Sequence, residues 1–266
     1  MKGWALDLGT TNTGLAYWDQ QAERARLIEL PVICRKPGNR DPLAAPRMIP
    51  SATQMLPPQG FLGRLGRKPF FLKRTFWGKH AHIGRDALER NEGWAHPSFI
   101  RSFKGELGSH PMRTVARLGG QTISAREVCR SFLRELVAEA FRKTGERIRE
   151  LVITVPVESY EQYRAELSAQ CKAVGISTVR FVDEPVAAAI GYGLSLRSQR
   201  RVLIVDFGGG TLDLAVVELK PRTMEEGSCV VIAKEGRPVG GGLVDQWLLD
   251  HCAESLGLSR LMNEQD

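Results

Sequence analysis

Short runs of apolar residues, some continuous and some alternating, predict strands in the last third of the chain. Residues 202–205 read VLIV, and apolar residues then recur at Leu212, Leu214, Val216, Val217 and Leu219. A continuous apolar run of this length indicates a buried strand, and alternation indicates a strand with one face in the core. Because glycines separate the two runs, the pattern predicts a β-hairpin.

The N-terminal residues repeat this design. Residues 4–8 (WALDL) precede a Gly-Thr turn, and residues 12–16 return as a second strand. A third antiparallel strand is predicted at 26–30, so the chain opens as a meander. Two similar hairpins about two hundred residues apart predict two related lobes.

Helical periodicity marks the middle of the chain. Ser124 and Glu127 form a capping box at the start of a helix predicted over 124–148, which has one apolar face. A buried strand at 151–155, a helix at 160–174 and a strand at 179–182 follow. This order predicts parallel strands with right-handed crossovers, and therefore an α/β fold. Further elements are predicted at 186–192 (helix), 230–233 (strand) and 243–255 (helix).

The segment from residue 31 to residue 66 contains seven prolines, which predicts irregular structure. Basic residues are concentrated nearby: residues 42–85 carry eight Lys or Arg and no Asp or Glu. Removing these eight from the 37 basic residues leaves 29 against 30 acidic ones, so the formal charge of +7 belongs to this segment. Its aromatic residues could stack bases, but a small subdomain with solvated charges is the favoured interpretation, and an acidic partner is possible.

Composition narrows the class of protein. A chain of 266 residues with 42% hydrophobic residues can bury a core, and Asp7 interrupts any N-terminal signal sequence. The five cysteines are widely spaced and form no CxxC pair, so neither a disulfide framework nor a zinc site is indicated. With no apolar run of membrane-spanning length, we expect a soluble, reduced, cytoplasmic protein without membrane partners.

The two hairpin turns carry the candidate chemistry. Gly208–Gly210 lack Cβ atoms, so their N–H groups can fold over a phosphate, and Thr211 adds a hydroxyl. Asp206 would then face phosphates and would need Mg²⁺ or water between them. A glycine turn alone favours a hairpin without a ligand, but the repetition at Asp7 and Gly9 favours two loops that share one phosphate chain.

Two further features are ambiguous when taken alone. Glu184 follows a strand and precedes a helix, where a carboxylate can act on a water or simply favour the helix dipole. Gly240–Gly242 precede the last helix, and backbone N–H groups at a helix start can also bind phosphate.

Five segments in register resemble one family. They are DLGTTNTG (7–14), LVITVP (151–156), DEPVAAAIGYG (183–193), DFGGGTLDLA (206–215) and VGGGLVD (239–245). Together they resemble the nucleotide-binding domain of the seventy-kilodalton heat-shock (DnaK-like) chaperones. The resemblance covers the chain except about residues 31–120, where only IPSATQM and HIGRDAL are faintly similar.

The resemblance implies an actin-like (ribonuclease H-like) two-lobe ATPase fold that binds ATP or ADP with Mg²⁺ in a cleft. Residues 1–195 would form the first lobe, with a basic Pro/Gly-rich subdomain inserted at about 31–120. Residues 196–266 would form an incomplete second lobe. The implied function is that of an ATP-hydrolysing chaperone module, with co-chaperones and unfolded clients as partners of a longer form.

The resemblance also assigns residue roles. Asp7 and Asp206 would hold Mg²⁺ through water, and Glu184 would place the metal-bound or attacking water. The phosphate-contacting residues of the two hairpins and of the third turn would be Gly9, Thr10, Thr11, Asn12, Gly208, Gly209, Gly210, Thr211, Gly240, Gly241 and Gly242.

Two departures from the family pattern predict a weakened module. Leu88 stands where the family places a lysine that contacts the transferred phosphate, and Lys79, Arg85 and Lys104 are the nearby candidates to replace it. Loss of that cation predicts slow hydrolysis. The second lobe stops early, which predicts weak nucleotide binding, no autonomous peptide binding, and unpartnered leucines at 248, 249, 256 and 258.

Three other classes of protein share some of these sequence features. A bacterial actin-like filament would suit DFGGGT, but its second subdomain is much smaller than the insertion here. A sugar kinase shares the DLGTT turn, yet the sequence has no motif for a sugar-pocket aspartate. A nucleic-acid-binding module would rest on the basic segment alone.

Overall fold

The computed structural model describes residues 3–57, 78–157, 161–193, 200–219 and 229–256. These residues form two compact units. The first contains the described residues up to Val182 apart from Pro156 and Val157, and the second contains those two and the described residues from Asp183 onward.

One sheet organises the first unit. Its strands are β1 (Trp4–Leu8), β2 (Asn12–Asp19), β3 (Arg24–Leu27), β4 (Ile49–Pro50), β10 (Glu150–Val155) and β11 (Thr178–Asp183). They run in the order β11-β10-β1-β2-β3, and β4 pairs with β2. The predicted meander is confirmed because β1, β2 and β3 are antiparallel, although β3 begins two residues before and ends three residues before the predicted range of 26–30. The pairing of β1 with β10 is parallel, as expected of an α/β fold.

The region at about 31–120, predicted to be an inserted subdomain that begins with irregular structure, contains only short elements among its described residues. They are β5 (Thr53–Met55), β6 (Ala81–Ile83), β7 (Phe99–Ile100), β8 (Thr114–Leu118), β9 (Gln121–Ser124), α1 (Arg85–Glu89) and α2 (Lys104–Ser109). Ile33, Ile83, Phe103 and Leu107 lie in the same hydrophobic core as the large sheet. The described part of this region therefore adds to the core of the first unit. Residues 58–77, with most of the predicted basic and aromatic cluster, lie outside the described residues.

Helix α3 (Ala125–Thr144) confirms the predicted capping box. The Ser124 side chain accepts from the Glu127 N–H, the Glu127 carboxylate accepts from the Ser124 N–H, and Gly145 ends the helix at φ 73°. Its apolar face is buried, and Phe132 packs on Phe103 with ring centroids 5.4 Å apart. Helix α4 (Glu161–Ala173) is tied to α3 by two hydrogen bonds, of 2.7 and 2.6 Å, from Arg126 to Glu166.

The second unit is a three-stranded antiparallel sheet with one covered face. Its strands β12 (Arg200–Phe207), β13 (Leu212–Leu219) and β14 (Cys229–Arg237) run in that order. Helix α5 (Glu184–Gly193) packs on β12 and β13, and Ala189 joins Ala215, Val217 and Leu219 in a small core. On the other face, Leu203 and Val205 are 63% and 60% exposed.

Helix α6 (Gly241–Ser255) leaves large apolar side chains in solvent. Leu248, Leu249 and Leu256 are 59%, 50% and 72% exposed, as predicted for leucines that no other described residue covers. Leu258 lies outside the described residues. The boundary predicted between residues 195 and 196 also falls on residues that are not described, and the division into two lobes at that point remains a prediction.

In the described ranges, no helix combines the length and apolar character needed to cross a bilayer. Cys34, Cys129, Cys171 and Cys252 are free thiols.

Candidate functional site

The first hairpin places a carboxylate two residues before its turn. Asp7 lies near the end of β1, opposite Gly14 on β2 and Thr154 on β10. Its Oδ1 accepts a hydrogen bond of 2.8 Å from the Thr154 hydroxyl, and the side chain is exposed. The carboxylate is thus oriented by the sheet but remains able to bind a hydrated cation.

The turn of the first hairpin is closely packed. A Cβ on Gly9 would lie 2.3 Å from the carbonyl oxygen of Asn12, so only glycine fits there. The Asn12 Oδ1 atom is buried and has no hydrogen-bond partner in the described residues. A buried amide oxygen without a hydrogen bond costs free energy. A ligand or water that donates a hydrogen bond to Asn12 Oδ1 would therefore be bound favourably. Thr10 is half-buried and Thr11 is exposed.

Sequence reasoning missed Ser51, which follows β4. Its hydroxyl donates to the Gly9 carbonyl at 2.7 Å and lies 3.0 Å from the Thr13 hydroxyl, while its N–H donates to the Thr11 carbonyl at 2.9 Å. Ser51 therefore contacts the turn at three places: Gly9 at its start, Thr11 in its middle and Thr13 at its end. The only signal for it in the sequence was the faint similarity of IPSATQM to the family.

The second hairpin has the same layout in the second unit. Asp206 precedes Gly208 by two residues, as Asp7 precedes Gly9, and lies opposite Asp213 across the hairpin. The Gly208 N–H closes the turn by donating to the Thr211 carbonyl at 2.8 Å. Gly208, Gly209, Gly210 and Thr211 are all half-buried.

The third glycine turn packs directly on the second hairpin. The N–H groups of Gly241 and Gly242 donate to the carbonyls of Gly208 and Gly209 at 3.0 and 2.9 Å. A Cβ on Gly240 would lie 2.5 Å from the Gly210 nitrogen. In this structure these glycines support the hairpin with their N–H groups, and their contact with phosphate remains a prediction.

Asp213 is a second residue that sequence reasoning missed. It is 1% exposed, its Oδ1 accepts from the Val157 N–H at 2.8 Å, and its Oδ2 has no hydrogen-bond partner in the described part of the chain. A buried carboxylate oxygen without a partner is expected to bind a cation or a water. The sequence contained a signal for its burial, because Asp213 lies on the same face of β13 as the apolar residues Ala215, Val217 and Leu219.

Glu184 is the first residue of α5, two positions before the predicted start at residue 186, and is half-buried. Pro185 therefore occupies the second position of the helix. The neighbouring Asp183 forms an ion pair with Lys234 of β14, which joins the start of α5 to the sheet of the second unit.

Lys79, Arg85 and Lys104 are the nearby candidates to replace the missing lysine. Lys79 and Arg85 are engaged in contacts within the first unit, and Lys104 is buried. Lys79 Nζ lies 2.7 Å from Asp86 Oδ2. Arg85 donates to the carbonyls of Cys34 and Pro31 at 3.0 and 2.7 Å and to Glu89 at 2.7 Å, and Lys104 is buried in α2. Lys79 and Arg85 therefore act as structural links of the first unit.

The ion cluster formed by Asp86 with Lys79, His82 and Arg90 makes the stability of the first unit depend on pH. Burial raises the pKa of its carboxyl, but hydrogen bonds from Lys79, His82 and Arg90 outweigh burial and hold the pKa well below its usual value. A lowered pKa means that the carboxylate stabilises the fold above its unfolded-state pKa of about 4 and loses this effect as the pH falls through the folded-state value.

We expect Asp86→Asn to lower the free energy of unfolding by about 2 kcal/mol at pH 7. The difference from the wild type should shrink progressively below about pH 4, because the carboxyl of the unfolded wild type becomes protonated there while the folded carboxyl keeps its charge to lower pH. Urea unfolding at pH 7, 5 and 3 measures this, with Asp250→Asn on the exposed face of α6 as control. A difference that does not change with pH would contradict the assignment.

The two glycine-closed hairpins and the mixed α/β sheets are consistent with an actin-like ATPase fold. The sequence model of the family described as Hsp70 protein matches residues 4–264. This chain therefore belongs to the Hsp70 family, as its motifs indicated.

Three curated relatives are similar over almost the whole chain. It is 28% identical to the chaperone protein DnaK of Deinococcus proteolyticus over 255 residues, which are 95% of this chain and 37% of that protein. It is 27% identical to the chaperone protein DnaK of Prochlorococcus marinus over 250 residues, 93% of this chain and 36% of that one. It is 28% identical to the chaperone protein dnaK3 of Thermosynechococcus vestitus over 259 residues, 94% and 34% of the two chains. The chain spans about a third of the length of these relatives.

Proposed function

We propose that this chain is an ATP-binding, ATP-hydrolysing module of a heat-shock-type chaperone. The observation that carries the proposal is the duplicated Asp-x-Gly hairpin. A Cβ cannot be accommodated at Gly9 in the first turn, nor at Gly240, which packs on the second turn. Such turns bring backbone N–H groups close to a ligand, and N–H groups in a concave turn favour an anion.

The donors and acceptors at each hairpin fit a magnesium nucleotide. Thr10, Thr11 and Asn12 would bind phosphate oxygens at the first hairpin, and Gly209, Gly210 and Thr211 would do so at the second. Asp7 and Asp206 would hold Mg²⁺ through water. The described residues contain no group of three or more His, Cys, Asp or Glu that could bind a metal directly, and Mg²⁺ usually keeps several waters in nucleotide sites. When bound, Mg²⁺ neutralises charge on the phosphates.

The remaining carboxylates would act on water. Hydrolysis of a phosphoanhydride requires a water positioned in line with the leaving oxygen. Glu184 would accept a hydrogen bond from that water, and the unpaired oxygen of Asp213 would hold a second water or a hydrated cation. Because Leu88 supplies no cation, we expect slow turnover even where binding is retained.

The relatives are named as chaperones, which supports a proposal about partners. We propose that a longer form of this protein acts in the cytoplasm with co-chaperones and unfolded clients. The basic segment 42–85 would contact an acidic partner.

Calorimetric titration with Mg·ADP and Mg·ATP tests the proposal. We expect binding by the wild type, and Asp206→Ala should weaken it at least about a hundredfold, because removal of a carboxylate that holds Mg²⁺ through water costs roughly 3 kcal/mol. Asp250→Ala is the matched control, since its carboxylate is exposed on α6 and accepts a hydrogen bond from the Gln246 side chain of the same helix. Folded wild type that does not bind, or an Asp206→Ala variant that binds equally well, would overturn the proposal.

A further inference from the structure

The geometry points to Ser51 as the positioning residue that orients the phosphate-binding N–H groups of the first hairpin. This inference rests on the proposed function and names a residue outside the hairpin that prepares it. Ser51 is 2% exposed and lies beyond β4, about forty positions from the turn that it contacts.

The hydrogen bonds of Ser51 form a short relay. A serine hydroxyl has one proton, and Ser51 donates it to the Gly9 carbonyl at 2.7 Å. The Thr13 hydroxyl, 3.0 Å away and fully buried, is therefore the donor in its bond with Ser51 Oγ. The Ser51 N–H independently binds the Thr11 carbonyl at 2.9 Å.

These bonds determine the direction of two peptide groups. In a trans peptide the C=O and the following N–H point in opposite directions, and the described chain has no cis peptide. The Gly9 and Thr11 carbonyls point toward Ser51, so the N–H groups of Thr10 and Asn12 point away from it. Two donors are thus oriented before a ligand arrives, and binding does not have to turn the peptide groups.

A buried serine can also be merely structural, and Ser98 supplies the comparison. It is fully buried in the same unit, and its hydroxyl donates to the Met55 carbonyl at 2.9 Å. Ser51→Ala and Ser98→Ala each delete a buried hydroxyl-to-carbonyl bond, but only Ser51 binds the hairpin. If Ser51 were merely structural, the two variants would have the same effect on the first hairpin and on nucleotide affinity.

Selective isotope labelling isolates the relevant peptide group. The sequence contains two Gly-Thr pairs, Gly9-Thr10 and Gly210-Thr211. The full chain labelled with ¹³C-carbonyl glycine and ¹⁵N threonine therefore gives two carbonyl-to-amide correlations. Without nucleotide, Ser51→Ala should shift the Gly9-Thr10 peak and leave Gly210-Thr211 in place, while Ser98→Ala shifts neither. A Gly9-Thr10 peak that does not move in folded Ser51→Ala would overturn the inference.

Thr13→Val is the second variant, and it keeps the experiment informative if Ser51→Ala fails to fold. Valine has the shape of threonine but cannot donate to Ser51 Oγ, and Ser51 itself is retained. We expect a smaller shift of the Gly9-Thr10 peak in the same direction, and no shift would contradict the relay.

Mg·ADP titration of the same samples gives the functional readout. Ser51→Ala should bind about tenfold more weakly than the wild type, with Ser98→Ala unchanged and Ser51→Thr, which keeps the hydroxyl, closer to the wild type. If the wild type does not bind Mg·ADP, the proposed function fails while the ligand-free peak still tests Ser51. If the wild type and Ser51→Ala bind equally, the inference about Ser51 fails and the proposed function stands.

Discussion

Gly9→Ala is expected to open the turn of the first hairpin and to abolish Mg·nucleotide binding. The new Cβ would lie 2.3 Å from the Asn12 carbonyl oxygen, a backbone atom that no rotamer change can move away. Asn12 is also restrained, because it pairs with Pro50 on β4. We expect the free energy of unfolding to fall by about 3 kcal/mol, since overpacking against backbone leaves little room for relaxation. Affinity should fall about a hundredfold or more.

Urea unfolding and Mg·ADP calorimetry measure the two effects of Gly9→Ala. Gly3→Ala is the matched control, because a Cβ there would meet only the Trp18 Cβ at 3.9 Å, an ordinary contact. Equal stability and equal affinity in the two variants would show that the turn is not closely packed in solution.

Gly240→Ala should separate the third glycine turn from the second hairpin. Its Cβ would lie 2.5, 2.6 and 2.7 Å from backbone atoms of Gly209 and Gly210. The backbone at Gly240 is extended and suits any residue, so the cost comes from space alone. The turn must move away, and the bonds from Gly241 and Gly242 to the hairpin would break. We expect the second unit to lose about 3 kcal/mol of stability and nucleotide affinity to fall about a hundredfold.

The control for Gly240→Ala is Gly191→Ala, in helix α5 of the same unit. A Cβ on Gly191, which is exposed, would meet no atom within 4 Å outside its own helix backbone. Alanine also favours a helix over glycine by up to about 1 kcal/mol. Gly191→Ala should therefore keep wild-type affinity and lose no stability, as measured by calorimetry and by hydrogen exchange of residues 208–211. Parallel losses in both variants would contradict the packing argument.

Sequence patterns predicted the elements that depend on neighbouring residues. The hairpins, the capped helix α3 and the helix over 161–173 follow from periodicity and from caps within a few positions. The burial predicted for the strand at 202–205 is wrong for Leu203 and Val205, which are 63% and 60% exposed. The other errors lie at element ends. The third strand begins at Arg24, because pairing with Asp19 and its neighbours on β2 extends it beyond its apolar residues.

The contacts that complete the two hairpins could not be predicted from local pattern. Ser51, Asp213 and the packing of Gly240 on Gly210 depend on which distant segments the fold brings together. Ser51 follows a proline and belongs to no periodic pattern. In a sequence, a glycine such as Gly240 that lets two backbone segments pack together cannot be distinguished from a glycine that a turn requires. Asp213 is the exception, since a carboxylate on an otherwise apolar strand face was visible in the sequence.

The parallel pairing of β1 with β10 has a consequence for how the chain is made. Asp7 and its partner Thr154 are 147 positions apart, and Leu6 and Leu8, on either side of Asp7, are almost fully buried once the sheet is complete. At ribosomal rates of about 5–20 residues per second, the N-terminal strand waits roughly 7–30 s for its neighbour. During that interval an apolar strand with an unpaired edge is open to aggregation. A member of a chaperone family therefore presents, early in its own synthesis, the kind of surface that makes nascent proteins depend on chaperones.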